Sequence, residues 1–274
     1  MVDFNGKCAV ITGAGSGIGR ALAQALSAQG CTLFISDINE KTLAETQRSL
    51  TAPDRSVAAC VDVADRDAVM RWAQDIAGST AAVDLVVNNA GVALIAQATA
   101  TSQEDFHWLM NINFWGVVHG CEAFMPLLER APAGRLVNIS SVFGLIGVPT
   151  QAAYNAAKFA VRGYSEALRQ ELELAGSRVR LCCVHPGGIG TNIARSGRNA
   201  DPAVTPEDQH QAFIQHVRTS ADEAARQILK AAARGKPRLL LGPDARFLGL
   251  LLRFFPVSYP RFIKQLQSLG QDVT

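Results

Sequence analysis

Tyr154 and Lys158 lie four residues apart in "AAYNAAKFAV", and Ser141 stands thirteen positions before the tyrosine. At i, i+4 the two side chains share one face of any helix that holds both, so phenol and ammonium can approach each other. A free phenol titrates near ~10 and is a poor base at neutral pH. A neighbouring cation stabilises the phenolate and lowers that value. The plain alternative is a packed tyrosine beside a solvated lysine, and the rest of the chain has to choose between the two.

At the other end, "VITGAGSGIGRALA" carries Gly13, Gly17 and Gly19. A strand that turns through glycines into a helix brings free backbone N–H groups and the positive end of the helix dipole up to an anion such as a pyrophosphate. The spacing is G-x-x-x-G-x-G, not the G-x-G-x-x-G of the common dinucleotide fingerprint, and a plain tight turn would read the same way. Asp37 ends "FISD", 18 residues beyond Gly19. A carboxylate there accepts hydrogen bonds from an adenosine ribose and repels a 2′-phosphate; it could also cap the next helix, or do both. No Arg or Lys occupies Ala14, Gly15 and Ser16, or Ile38 and Asn39 after the acid, which favours NAD over NADP.

With Tyr154-x-x-x-Lys158, T-G-x-x-x-G-x-G at Thr12 to Gly19 and "NNAG" at Asn88 to Gly91, the chain resembles the short-chain dehydrogenase/reductase family from Lys7 to about Leu241. The resemblance implies a set of site residues. Gly13, Ser16, Gly17, Ile18, Gly19 and Asp37 would hold the cofactor's adenosine and pyrophosphate, with Asp62 and Val63 beside the adenine. Asn89, Ala90 and Gly91 continue that site, and Pro186, Gly187, Ile189 and Thr191 of "HPGGIGT" complete it, Thr191 at the nicotinamide carboxamide. Asn113 in "NINFWG" matches the family's active-site asparagine, with Asn111 nearby, and Ser141 matches its serine, with Ser140 one residue off. In the mechanism so implied, Ser141 holds the substrate oxygen and Tyr154 exchanges its proton. Lys158 binds the nicotinamide ribose and tunes Tyr154, and Asn113 positions a water linking Lys158 to solvent. The expected activity is hydride exchange between NAD(H) and a hydrophobic alcohol or ketone. The alternatives are an NADP-dependent carbonyl reductase and a membrane-surface lipid, steroid or retinoid dehydrogenase. A more distant one is a non-catalytic dinucleotide sensor, whose usual mark, a damaged Ser, Tyr or Lys, is missing.

Positioning these groups takes strands that end together. Short apolar, β-branched runs at "KCAVITG", "CTLFISD", "SVAACVDV", "VDLVVNN", "RLVNISS", "VRLCCVHP" and "PRLLLG" alternate with helix-period segments, the pattern of a parallel sheet covered on both faces. Seven strands predict a single α/β, doubly wound Rossmann-fold domain over residues 1–244. Ser102 with Asp105 and Ser220 with Glu223 read as capping boxes. The Gly-, Asn-, Asp- and Pro-rich stretch 187–217 predicts a substrate lid. Ligands bind beyond the carboxyl ends of such strands, where Val92, Leu94, Ile95, Phe143, Leu145 and Ile146 form an apolar wall. Leu94 and Phe143 are expected to touch substrate with Ser141 and Tyr154. Arg195 and Arg198 in the lid would greet an acidic group or simply be solvated.

At 274 residues and 48% hydrophobic the chain can bury a full core, and a net charge of +2 implies no nucleic-acid partner. Of six cysteines, none in a C-x-x-C pair, five fall in apolar strand-like runs and read as core residues of a reduced compartment, and no metal site is expected. His107, His119, His185, His210 and His216 show no ligand spacing, and a structural role is expected of His185. The N-terminus lacks a charged leader followed by an apolar stretch, so a cytoplasmic location is expected. The family's habit of pairing its fourth and fifth helices between subunits implies a homodimer or homotetramer. The tail 245–274 has an apolar run about half of the ~20 residues of a membrane span. Residues 236 to 274 hold six Lys/Arg against two Asp, hence +4, while the rest sums to −2. That tail could pack on the pocket or a partner subunit, touch a membrane surface, or be a disordered end.

Overall fold

Near-continuous apolar runs, too short for helices, pair into one parallel sheet because helices cover both of its faces. The computed structural model describes residues 4–262, apart from 202, 203 and 216. In chain order its strands are β1 (Cys8–Thr12), β2 (Thr32–Asp37), β3 (Ser56–Cys60), β4 (Leu85–Asn88), β5 (Leu94–Ile95), β6 (Arg135–Ile139), β7 (Arg180–Pro186), β8 (Arg198–Asn199) and β9 (Arg238–Leu241). The helices are α1 (Gly17–Ser27), α2 (Glu40–Arg48), α3 (Arg66–Ser79), α4 (Gln103–Met110), α5 (Gly116–Arg130), α6 (Ala152–Leu174), α7 (Pro206–Ile214), α8 (Ala221–Ala233) and α9 (Pro243–Phe254). Seven strands form the main sheet in the order β3-β2-β1-β4-β6-β7-β9, every pair parallel. This is the expected single-domain, doubly wound Rossmann fold.

Strand residues alternate between two cores. Ile11, Ile35, Val87 and Val184 pack with Leu22 and Leu26 of α1 and Ile228 and Leu229 of α8. Val10, Phe34, Val86 and Cys183 face Trp72 and Ile76 of α3, Phe124 and Leu128 of α5, and Val161 and Leu172 of α6. Burying a side chain of this kind contributes about 1.5–3 kcal/mol. Chain direction across the sheet reverses between β1 and β4, which opens a crevice at their carboxyl ends.

Three local readings change. Thr205 with Asp208 makes the full reciprocal capping box, at the start of α7. Ser102 and Ser220 accept from the N–H groups of Asp105 and Glu223 as simple caps. The cap of α2 is Asn39, whose side chain accepts from Thr42 N, so Asp37 is released from that task. The expected single fourth helix is broken by a π-helical turn, Asn111–Trp115, between α4 and α5. Much of the stretch 187–217 is ordered, holding α7 and the short strand β8, which pairs with β5. His216 and the tail beyond residue 262 lie outside the described residues.

Candidate active site

At the crevice, Gly13 takes φ +65°, and a Cβ there would lie 2.7 Å from the Ala90 Cα. Only glycine lets the loops after β1 and β4 approach this closely. Thr12 locks them together: its Oγ1 accepts from Asn89 N (3.0 Å) and Ala90 N (3.1 Å). Asn89 Nδ2 donates back to the Thr12 and Gly13 carbonyls, both at 3.0 Å. Ser16 precedes α1 with no side-chain cap, so the first N–H groups of that helix, at Gly17, Ile18 and Gly19, are unclaimed by a capping side chain. A Cβ on Gly17 would sit 2.9 Å from Thr191 Cγ2, so the "GGIGT" segment folds back over the glycine loop.

Asp37 lies over the same loop, its Oδ2 accepting from Gly15 N and its Oδ1 from Asn39 N, each at 2.9 Å. Arg20, one turn into α1, donates to the Gly15 and Thr42 carbonyls and to Thr46 Oγ1, and lies 3.5 Å from Glu45. Its charge is thus committed to bracing the loop. Asp62 Oδ1 accepts from Ala64 N, and the Val63 carbonyl accepts from His119 Nδ1, so the turn after β3 is also fixed.

Ser141, Tyr154 and Lys158 converge at the end of β6 and the start of α6, all three buried. The neighbouring pairs separate cleanly. Ser140 Oγ donates to the Lys158 carbonyl at 2.8 Å and is spent on packing the strand against α6, whereas the Ser141 hydroxyl lies beside the Tyr154 phenol. Asn111 is exposed, while Asn113 is buried and takes up both polar atoms of Val92, at 2.8 Å each way. Both polar atoms of the Asn113 side chain are thus engaged by Val92. Lys158 Nζ donates to the Ile139 carbonyl (3.1 Å) and lies 5.6 Å from the centre of the Tyr154 ring. Leu94, Leu109, Ala153 and Ala157 pack around Tyr154, with Phe143 edge-on to its ring at 6.1 Å and Ile193 against the cluster. The expected wall of Leu94 and Phe143 therefore stands at the phenol.

The electrostatics differ from the expectation. Burial pushes the Tyr154 phenol up to about 12, against a lowering contribution from Ser141. Burial likewise pulls the Lys158 ammonium down to about 8. Removing both groups from water disfavours both charged forms, and this outweighs the attraction expected between phenolate and ammonium.

Several contacts had no signal in local spacing. Asn155, beside Tyr154, donates to the Phe143 and Ile146 carbonyls (2.7 Å each) and accepts from Val148 N (3.0 Å), stapling the loop after β6. His185 Nδ1 donates to the Ser141 carbonyl at 3.0 Å, and its Nε2 is buried without a partner. Asp244, in the first turn of α9, accepts from Gly188 N at 2.6 Å and ties α9 to the turn after Pro186 and Gly187. Arg198 of β8 pairs with Asp105 at 2.7 Å and lies 4.0 Å over Trp108, while Arg195 pairs with Glu207. Both arginines of the expected lid are thus paired with a carboxylate while remaining half-exposed. Ile189 is buried and bridges Thr219.

A buried Ser-Tyr-Lys set beside a glycine-lined helix terminus defines a dinucleotide-dependent oxidoreductase. The family model described as short chain dehydrogenase matches residues 7–202, and the chain belongs to the short-chain dehydrogenase/reductase family, whose members act on CH–OH groups with NAD(P). It is 44% identical over 269 residues to the oxidoreductase SadH of Mycobacterium tuberculosis, covering 96% of both chains. It is 31% identical over 250 residues to a 3-ketodihydrosphingosine reductase of Bacteroides thetaiotaomicron, covering 87% of this chain and 89% of that one. Among solved structures, a short-chain dehydrogenase/reductase from Burkholderia phymatum in complex with NAD superimposes with a TM-score of 0.83 at 30% identity, covering 97% of each chain.

Proposed function

We propose that this protein exchanges hydride between NAD(H) and a hydrophobic alcohol or ketone, with Tyr154 as the proton donor and acceptor. The observation that carries this reading is the burial of Ser141, Tyr154 and Lys158 together against Leu94 and Phe143. The glycine loop and the uncapped start of α1 fit a pyrophosphate. Asp37 fits the adenosine ribose, Asp62 and Val63 the adenine, and Asn89 to Gly91 the span between the two halves of the cofactor. Lys158 would hold the nicotinamide ribose, and Pro186, Gly187, Ile189 and Thr191 the carboxamide side of the ring. When bound, the dinucleotide supplies or accepts the hydride.

Ser141 Oγ holds the substrate oxygen while the Tyr154 hydroxyl gives it a proton in reduction or takes one in oxidation. A phenol near 12 is protonated at neutral pH, the form that reduction requires, so oxidation gains rate as pH rises. Asn113 fixes the Val92 backbone and leaves its own carbonyl for a water toward Lys158. Residues 1–244 act as the catalytic domain, 187–217 as the lid and 245–274 as an appended tail, in the cytoplasm and as a homo-oligomer. NAD is preferred because Asp37 faces the ribose position while Arg20 is held by Gly15, Thr42 and Thr46. The apolar wall, together with the likeness to a 3-ketodihydrosphingosine reductase, favours an alcohol or ketone with a long apolar chain.

The test is nicotinamide reduction, followed by absorbance, with NAD and NADP against short, long-chain, aromatic and steroidal secondary alcohols. Tyr154→Phe is expected to lose turnover by roughly 10²–10⁴-fold with cofactor binding retained. Asp37→Ala is expected to narrow the gap between the two cofactors. Unimpaired turnover by Tyr154→Phe would sink the mechanism, and a wild type that prefers NADP would overturn the cofactor assignment.

A further inference from the structure

We infer that α9 and the segment following it dock the protein on an anionic bilayer surface. Phe247, Leu250 and Phe254 fall at i, i+3 and i+7, one stripe of the helix, and are 49%, 59% and 65% exposed. Val257, just beyond the helix, is 87% exposed. The opposite side of α9 is inward, with Ala245 fully buried and Leu248 and Leu252 half-buried. The apolar stripe is therefore surplus to what the fold uses.

Charge identifies the occupant. Arg246 and Arg253, seven residues apart and both exposed, run beside the stripe. The acid of this helix, Asp244, is turned inward onto Gly188 N, and Arg246 meets the neutral Gln227 carboxamide. Among the described residues neither Arg246 nor Arg253 is paired with a carboxylate, unlike arginines such as Arg162, paired with Glu166, and Arg195, paired with Glu207. Residues 236 to 274 carry +4 against −2 for the remainder, so the positive charge is concentrated where the apolar groups emerge. Apolar groups flanked by arginine suit the boundary between acyl chains and anionic headgroups. A second copy of the chain suits it poorly, because a twofold contact would set this positive face against itself. No helix among the described residues is long and apolar enough to cross a membrane, so the contact is peripheral.

The docking face also has a fixed relation to the candidate active site. The Tyr259 hydroxyl accepts from Gly147 N (2.8 Å) and donates to the Gly147 carbonyl (3.1 Å), pinning the segment after α9 onto the loop that carries Phe143 and Ile146. If the substrate is the hydrophobic compound proposed above, docking brings the mouth of its pocket to the surface where such compounds dissolve. The docking itself does not depend on that reading.

The experiment is co-sedimentation of the full chain with phosphatidylcholine vesicles and with vesicles containing one quarter phosphatidylglycerol. The wild type is expected to pellet with the anionic vesicles at least tenfold more strongly than with the neutral ones. The double variant Arg246→Gln/Arg253→Gln should lose most of that preference, and Phe247→Ser/Phe254→Ser should lose binding. Circular dichroism and turnover of a short, water-soluble alcohol check that the variants remain folded. Equal binding to both vesicle types, or none, overturns the proposal. So does a Phe247→Ser/Phe254→Ser variant that still binds, or whose principal change is a smaller oligomer by light scattering. Binding is read without turnover, so a failed catalytic assignment would leave this result intact.

Discussion

At the scale of single residues, burial decides more than pairing. Tyr154 and Lys158 were legible from their spacing because i, i+4 is a property of any helix. Their titration was not, because it depends on how much water the fold removes. His185 shows the same principle with a measurable consequence. Its Nδ1–H is committed to the Ser141 carbonyl, its Nε2 is buried without a partner, and burial holds its pKa down to about 4. In the unfolded chain a histidine titrates near ~6.5. Between those values the unfolded state binds a proton that the folded state refuses, so stability falls as pH falls through the window. From pH 7 to 5 the wild type should lose roughly 2 kcal/mol by this route. His185→Asn, which keeps a donor for the Ser141 carbonyl, should lose that much less over the same range, whatever its stability at pH 7. Urea unfolding at the two pH values measures the difference, and equal losses in the two proteins would refute the assignment.

At the scale of elements, the sequence showed where strands end and helices begin but not which loops are tied to which. The seven strands, the glycine turn and the "HPGGIGT" turn were readable because each is a local pattern. Asp244 on Gly188, Arg198 on Asp105 and Tyr259 on Gly147 join positions far apart in the chain, and no local period encodes them. The π-helical turn at Asn113 escaped notice for a different reason, since an inserted residue leaves the apolar pattern of the flanking helices intact. Asn155 is the element-scale contact most open to test. It holds the loop after β6 through three hydrogen bonds, two of them to the carbonyls of Phe143 and Ile146. An unmade hydrogen bond at a buried group costs about 1–3 kcal/mol, so in Asn155→Ala the loop will move to find water. If that loop forms the proposed substrate wall, away from the glycine turn, KM for the alcohol should rise about tenfold, a shift of about 1.4 kcal/mol. NAD affinity should remain within twofold. Steady-state kinetics with a cofactor titration separates the two quantities, and a matching loss of NAD affinity would show that Asn155 supports the whole site and not the loop alone.

For the whole molecule, the outer face of α6 is the surface that would carry the proposed homo-oligomer. Ala156, Phe159, Gly163 and Ala167 are all exposed and uncharged, at i, i+3, i+7 and i+11, with Phe159 at 41%. Tyr164, beside this stripe, packs edge-on against Phe114 of the π-helical turn, and the next residue, Trp115, is 47% exposed. Small residues let two helix backbones approach closely, and the large rings supply the apolar area that a lone chain leaves in water. In a twofold contact each substitution acts twice. Burying a phenylalanine contributes about 1.5–3 kcal/mol, so a charge in its place should weaken a dimer by at least ~3 kcal/mol, or more than ~100-fold in dissociation constant. The wild type is therefore expected to run in multi-angle light scattering as a dimer or tetramer. Phe159→Asp should shift it toward the monomer mass at low micromolar concentration, and Phe159→Leu should not. A monomeric wild type, or a Phe159→Asp protein of unchanged mass, would rule out α6 as the assembling face.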